Sequence, residues 1–339
     1  MSTVVRRLAN YPDSTAVDFN GNQRDDVICP SKRGGAYEDF IQMARNNGKS
    51  GFPGITFDDE HYRDWLSIGT CICDTCDARW KQWLAQEQPG LAYVHPGDVL
   101  GDPLGNRRQH EKWFLFRAAM VKEWYVAARQ VCLAEVEKRA GENASKPFIN
   151  SYTGPADFDH IMNSSMNPAI MVGVFDHILP MFYGSALQVR TWVRELVAAT
   201  NPRTAGAALC AGESRAKRYE WREGEVKAQM LESLFANAKG GILFWSWPYS
   251  NLRIIAEIAE TNGIIADHED IFWPGEPGEG FSAPGHQQFA STLETDKGAL
   301  LLLSNYTTEG KATVLVKRAD GGAMRMRGLM GNADLLWQQ

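Results

Sequence analysis

The chain has no apolar run of the ~18 residues that a membrane-spanning helix needs. It has no block of Lys and Arg, and its net charge is −6, so neither a membrane nor a nucleic acid is expected as a partner. The opening residues, Met1-Ser-Thr-Val-Val-Arg-Arg-Leu8, carry no apolar core of a signal peptide. The compartment therefore stays unknown from sequence. No internal repeat or long low-complexity tract occurs. Cysteine is scarce and unevenly spaced, with six residues at 29, 71, 73, 76, 132 and 210, which excludes a small disulfide scaffold.

What is present is a large apolar fraction, 44%, enough for one large domain and a small one. Aromatics are plentiful, with eleven Trp, ten Tyr and fifteen Phe. Most of them are expected to serve a core, and an aromatic face left exposed is also a surface on which a flat apolar ring face can stack.

Strand and helix patterns alternate. Strands are expected at Thr15–Phe19, Gly54–Asp58, Pro147–Tyr152, His177–Tyr183, Ala205–Ala211 and Gly241–Trp247. Helices are expected at Gly35–Asn46, Trp113–Lys138, Gln188–Ala199, Gly224–Ala238 and Asn251–Asn262. Such alternation predicts a parallel sheet with helical crossovers. Chemistry-bearing residues follow several of these strands, a spread that favours a (β/α)8 TIM barrel over a doubly wound sheet. Six barrel strands are countable, and the first comes almost at once. The expectation is a barrel lacking its first two βα units, with long unpaired edges that recruit partners and leave homo-oligomerisation open. Residues 1–273 are read as this catalytic domain and 274–282, rich in Pro and Gly, as a linker. Residues 283–339 are read as a small antiparallel β module, with strand-like runs at Gly298–Ser304 and Lys311–Lys317.

Two strands end in acids. Gly54-Ile-Thr-Phe-Asp58 runs into Asp59 and Glu60, and Ala205–Ala211 runs into Glu213. Paired carboxylates on separate strands are the minimum equipment of a glycoside hydrolase. In retaining hydrolysis one carboxyl protonates the leaving oxygen and the other attacks the anomeric carbon, the two lying roughly 5 Å apart. The acid must hold its proton near neutral pH, and Asp58 or Asp59 can supply the charge that raises its pKa. Tyr183 is a candidate to hydrogen-bond a nucleophilic carboxylate. Trp245 and Trp247 share one side of their strand and are candidate walls of a sugar site. Asn150 and Tyr152 are further polar candidates. Each of these also has a bland reading, as loop or core.

Cys71, Cys73 and Cys76 lie too close in sequence to bond one another without strain. As thiolates they can hold one Zn2+ with a fourth ligand from elsewhere, either Cys29 or His61. A closed four-ligand site would be structural and would not perform hydrolysis. Cys132 and Cys210 are read as buried thiols. Catalytic use of the cluster in the manner of a zinc deaminase is disfavoured. No His precedes Glu60 by two residues and no Pro precedes Cys73.

In order and spacing the chain resembles the zinc-containing β-galactosidases of glycoside hydrolase family 42, and more loosely their barrel relatives in clan A. The resemblance rests on Cys29-Pro30 after an early strand, the Asp59-Glu60 pair, and the Cys-x-Cys-x-x-Cys leading into a helix ending Trp83-Leu84. It rests further on Glu213 after a later strand and on Gly240-Gly-Ile-Leu-Phe-Trp-Ser-Trp-Pro248. It covers about residues 15–273. It implies a retaining β-glycosidase acting on oligo- or polysaccharide, with Glu60 as acid/base and Glu213 as nucleophile. It also implies structural zinc on the cysteines. The chain departs from the family at Asp59, where the family has an Asn that contacts the sugar 2-hydroxyl, and in a longer loop between Glu60 and Cys71. The alternative is a non-catalytic carbohydrate-binding barrel that keeps the zinc.

Overall fold

In the computed structural model, which describes residues 11–52, 54–58, 71–141, 146–153, 165–210, 224–245, 252–283, 286–306 and 317–318, the first strand turns straight back on itself. Asp18 Oδ1 accepts the backbone N–H groups of Asn20 and Asn22, both at 2.8 Å, and Gly21 takes φ +82°. This turn chemistry pairs β1 (Thr15–Val17) antiparallel with β2 (Gln23–Ile28). Thr15–Phe19 is therefore a hairpin arm and not the parallel barrel strand that its apolar pattern suggested. The Asn-Gly signal for the hairpin was present in the sequence.

Two compact units follow from the contacts, Met1–Met181 with Ala199–Thr204, and Phe182–Ala198 with Ala205–Gln339. In the first, Asp13 Oδ2 and Ser14 Oγ accept from the N–H groups of Gly35 and Ala36 at 3.0 and 3.1 Å. They satisfy two orphan donors of α1 (Gly35–Ser50). Ala36, Phe40, Ala44 and Gly48 form its buried ridge, spaced by four so that they stack along one face. A Cβ on Gly48 would lie 2.4 Å from the Cys132 carbonyl oxygen, so this glycine sets how closely two helices approach.

After β3 (Gly54–Asp58) come α2 (Asp74–Glu87), α3 (Pro96–Gly101) and α4 (Arg107–Ala140). Helix α4 has 34 residues and is about 50 Å long. Its buried stripe changes partner midway. Trp113, Phe116 and Met120 join the cysteines and Trp80 in one cluster. Trp124 and Tyr125 instead meet Phe40 of α1, with ring centroids 5.7 and 5.4 Å away.

Strands β3, β4 (Phe148–Thr153) and, after α5 (Pro168–Met171), β5 (His177–Pro180) form a parallel sheet in that order. Alternation sorts its faces. Ile55, Phe57, Ile149, Ser151 and Ile178 are buried, and Phe57 packs on Phe40 and Tyr125. Thr56, Asn150 and His177 form one row of the opposite face, and Asp58, Tyr152 and Leu179 form the next. Asp176 clamps the sheet to α4. It takes an Arg129 guanidinium hydrogen bond at 2.8 Å and the Ile149 N–H at 2.7 Å.

The second unit holds α6 (Ala186–Ala199), β6 (Ala207–Cys210), α7 (Glu225–Phe235), β7 (Ile242–Trp245), α8 (Leu252–Asp267) and α9 (Glu269–Phe272). Strands β6 and β7 are parallel, as expected for neighbours joined through a helix. Then come β8 (Glu276–Gly278), β9 (Phe281–Ser282), β10 (Gln288–Glu294), β11 (Ala299–Asn305) and β12 (Lys317–Arg318). They form an antiparallel sheet β11-β10-β8 and a β12-β9 pair. Glu276–Gly278 falls in the stretch read from sequence as a linker. Pro277 is tolerated there because β8 is an edge strand among the described residues, where a missing N–H costs little. Most of the expected Lys311–Lys317 strand lies outside the described residues. Among the described residues the parallel strands form sheets of three and of two, and no closed barrel.

A buried ion pair holds this unit together. Arg190 of α6 meets Glu232 of α7 at 2.6 Å, with side chains 7% and 1% exposed. Ser304 and Tyr306 donate to the other Glu232 oxygen at 2.5 and 2.7 Å, and Arg190 also donates to Ser291 at 2.8 Å. The adjacent carboxylate and burial push the Tyr306 phenol well above its usual range, burial contributing most. Removing one partner of such a pair leaves a buried, uncompensated charge. Glu232→Gln is expected to cost about 3–5 kcal/mol, read as a lower urea midpoint. The double change Arg190→Met/Glu232→Gln should cost less than the sum of the single changes. Additive losses would show that the pair is not coupled.

Candidate functional site

The spacing of Cys71, Cys73 and Cys76 places one sulfur on the first turn of α2 and two just before it. Cys29 follows β2 directly, and the hairpin brings it to the same point. All four sulfurs are buried and lie within 4.8 Å of one another. Cys29 Sγ is 3.8 Å from Cys73 Sγ and 3.3 Å from Cys76 Sγ. A divalent ion bonded to four sulfurs at about 2.3 Å would space them roughly 3.8 Å apart. The donor set therefore fits a tetrahedral metal with a small adjustment, and Cys29 closes it. His61, the competing fourth ligand, lies outside the described residues.

The surroundings suit bound thiolates. The Val17 N–H donates to Cys71 Sγ at 3.3 Å, and Arg117 Nη1 donates to Cys76 Sγ at 3.5 Å. The Cys29 loop is held from outside by Trp124 Nε1, which donates to the Pro30 carbonyl at 2.8 Å. Arg79 bonds the Ser31 carbonyl at 3.3 Å and pairs with Glu123 at 2.6 Å. Such outer partners orient ligands and tune a metal. Burial pushes the Cys29 thiol up. Hydrogen bonding from Cys29 lowers Cys71, and lowers Cys73 to about 6. An ion held by all four sulfurs would have no coordination site open to a substrate.

Arg117 is the functional residue that the sequence reading missed. The signal was a cation inside the apolar stripe of α4, four residues after Trp113 and three before Met120. Of the remaining thiols, Cys132 is buried under α1, as expected.

Glu60, Glu213, Asp59 and Trp247 lie outside the described residues. Their flanks are visible. Asp58, the last residue of β3, is in register with Tyr152 of β4. Cys210, the last of β6, is in register with Trp245 of β7. Asn150 and Tyr152 lie on the same face of β4. Tyr152 is 3% exposed, and the buried Asn150 Oδ1 finds no hydrogen-bond partner. Tyr183 is half-buried in the second unit. It sits between Phe182, whose N–H donates to the Ala208 carbonyl of β6 at 2.9 Å, and Gly184, whose carbonyl accepts from Gln229 Nε2 at 2.7 Å.

Protein purified under reducing conditions should carry about one divalent ion per chain. Cys73→Ser should lower that occupancy and the thermal midpoint together. Folded wild-type protein free of metal would rule the centre out.

No protein-family model and no curated protein matches the chain. Among solved structures it is similar to the glycoside hydrolase domain of PgaB (BpsB) from Bordetella bronchiseptica. That match has 14% identity, a TM-score of 0.48, and covers 70% of this chain and 62% of that one. It is also similar to bee venom hyaluronidase solved with a hyaluronic acid tetramer. Here identity is 14%, the TM-score is 0.39, and coverage is 76% of this chain and 82% of that one. The chain thus spans under two thirds of the length of the first of these.

Proposed function

We propose that the chain is a glycoside hydrolase acting on β-linked oligo- or polysaccharide with retention of configuration, β-galactosidase-like by its sequence resemblance. In this reading Glu213 is the nucleophile and Glu60 the acid/base, residues 1–273 form the catalytic domain, and 283–339 form an accessory β module. The cysteines hold a structural Zn2+, which when bound supplies cross-links between loops and no chemistry on the sugar.

The observation that carries the reading is the position of the acids relative to the parallel strands. Strands β3 and β6 each run at their C-terminal ends into the segments bearing Asp59-Glu60 and Glu213. That is the edge where α/β barrels keep their active residues. The Asn150 oxygen without a partner adds support, because a sugar hydroxyl can donate to it. An orphaned buried acceptor otherwise costs about 1–3 kcal/mol.

The chemistry follows from two carboxyl groups. Glu213 attacks the anomeric carbon as the glycosidic C–O bond breaks, and Glu60 gives its proton to the leaving oxygen. Glu60, now a carboxylate, then takes a proton from water as that water displaces Glu213. Tyr183 donates to the nucleophilic carboxylate, and Trp245 or Trp247 offers an apolar face to the ring. Asp59, where the resembling family has Asn, favours the second reading, a barrel that binds carbohydrate without turnover.

Glu213→Gln should abolish hydrolysis of an activated aryl β-glycoside, since no glycosyl-enzyme can form. Glu60→Gln should slow substrates with poor leaving groups by about 10²–10⁴-fold and good ones far less, because only the former need protonation. Wild-type turnover in both variants would refute the assignment. Wild-type binding of oligosaccharide without hydrolysis would select the second reading, and an inverted product would replace retention with inversion.

A further inference from the structure

Arg117 is a cation in a place where cations are rarely found. Its side chain is among the largest that are fully buried in the chain, beside Trp80, Trp113 and Phe116. Among the described residues no carboxylate forms an ion pair with it. Its Nε finds no hydrogen-bond partner, and its Nη1 points at Cys76 Sγ from 3.5 Å. An unpaired buried guanidinium is strongly unfavourable, and an Arg retains its proton under any ordinary condition. The compensating negative charge must come from the sulfurs.

The converse holds for the sulfurs. Four thiolates and one divalent ion sum to two negative charges, placed inside a cluster built of Trp80, Trp113, Phe116, Met120 and Val99. Such a centre needs a counter-charge as much as Arg117 needs an anion. We infer that Arg117 is the counter-ion of the cysteine centre, a positioning residue that makes the fold of this unit depend on a divalent metal held by all four cysteines as thiolates. Binding the metal would release the thiol protons and place two negative charges beside the arginine, which halves the net charge of the centre. Removing the metal lets the sulfurs take up protons again and leaves the cation without its partner. The inference rests on the reading that the cysteines hold a metal, and it goes beyond it by naming what fixes the charge of the bound state.

The test compares wild type, Arg117→Met, Arg117→Gln and Arg117→Lys, each purified with zinc. Zinc affinity is measured by competition with a chromophoric chelator, and thermal unfolding is followed with zinc and after its removal. Arg117→Met should weaken zinc binding by about 10–100-fold, the usual effect of losing an outer-shell partner, and lower the midpoint of the zinc-bound protein. In metal-free protein the same change should leave the midpoint equal to or above that of wild type, because it removes an uncompensated cation. A packing role would lower both midpoints alike, and that result would overturn the inference.

Should Arg117→Met fail to fold, Arg117→Lys against Arg117→Gln decides the question, since the two differ in charge. Zinc affinity about tenfold or more weaker in Arg117→Gln than in Arg117→Lys supports the counter-ion role, and equal affinities overturn it. Should metal-free wild type be unfolded, the rate of zinc loss to the chelator replaces the metal-free midpoint. Faster loss in Arg117→Gln than in Arg117→Lys is then expected, and equal rates overturn it. Wild type that carries no zinc would sink the metal reading itself. Wild type with zinc and an unaltered Arg117→Met would sink the counter-ion role alone.

Discussion

Four sulfur atoms within 4.8 Å tie together parts of the first unit that no shared sheet connects. One follows the β1–β2 hairpin, two precede α2 and one lies in its first turn. The cluster packs directly under α4. Aromatic packing around it is dense, with Trp80 5.4 Å from both Trp113 and Phe116, but it is not directional. The sulfurs and the hydrogen bonds to them are directional, so they set the place of the hairpin, of α2 and of the N-terminal half of α4. The C-terminal half of α4 is set differently, by the close passage at Gly48 and by the Arg129–Asp176 clamp on the sheet.

The second unit solves a related problem with carbon chemistry's more ordinary ions. Glu232 is fully buried and takes one cation and two hydroxyl donors, drawn from α6, β11 and the residue after β11. Every partner lies on a different stretch of chain, so the carboxylate organises helix and antiparallel sheet around itself. The apolar cluster of Leu231, Leu234, Phe235, Phe272, Leu293, Leu300 and Leu302 supplies the bulk of the burial beside it. Here a buried charge is compensated by groups distant in sequence, which is costly to assemble and specific once assembled.

The parallel strands give the candidate catalytic residues their common logic. At their C-terminal ends the backbone register sets neighbouring residues side by side in rows. Asp58 with Tyr152, and Cys210 with Trp245, mark where the acid-bearing segments leave their sheets.

Much of this was legible in the sequence. The sequence pattern located parallel strands at Gly54–Asp58, at Pro147–Tyr152 where the structure has Phe148–Thr153, and at Gly241–Trp247 where the described strand is Ile242–Trp245, and it located the helices around Trp124 and Val193. The ligand spacing of Cys71, Cys73 and Cys76 was local and could be read directly. The sequence did not reveal that Thr15–Val17 is a hairpin arm, since the Asp18 side chain's bonds to Asn20 and Asn22 outweigh an apolar pattern equally suited to a sheet interior. Nor did it reveal that Glu276–Gly278 pairs with β10, which depends on a partner strand ten residues on. The arrival of Cys29 beside Cys73 and Cys76, the approach of Arg117 to Cys76, and the Arg190–Glu232 pair were decided only by tertiary structure. Each joins side chains 41 or more positions apart, and separations of that size are set by how whole elements pack, which no local pattern encodes.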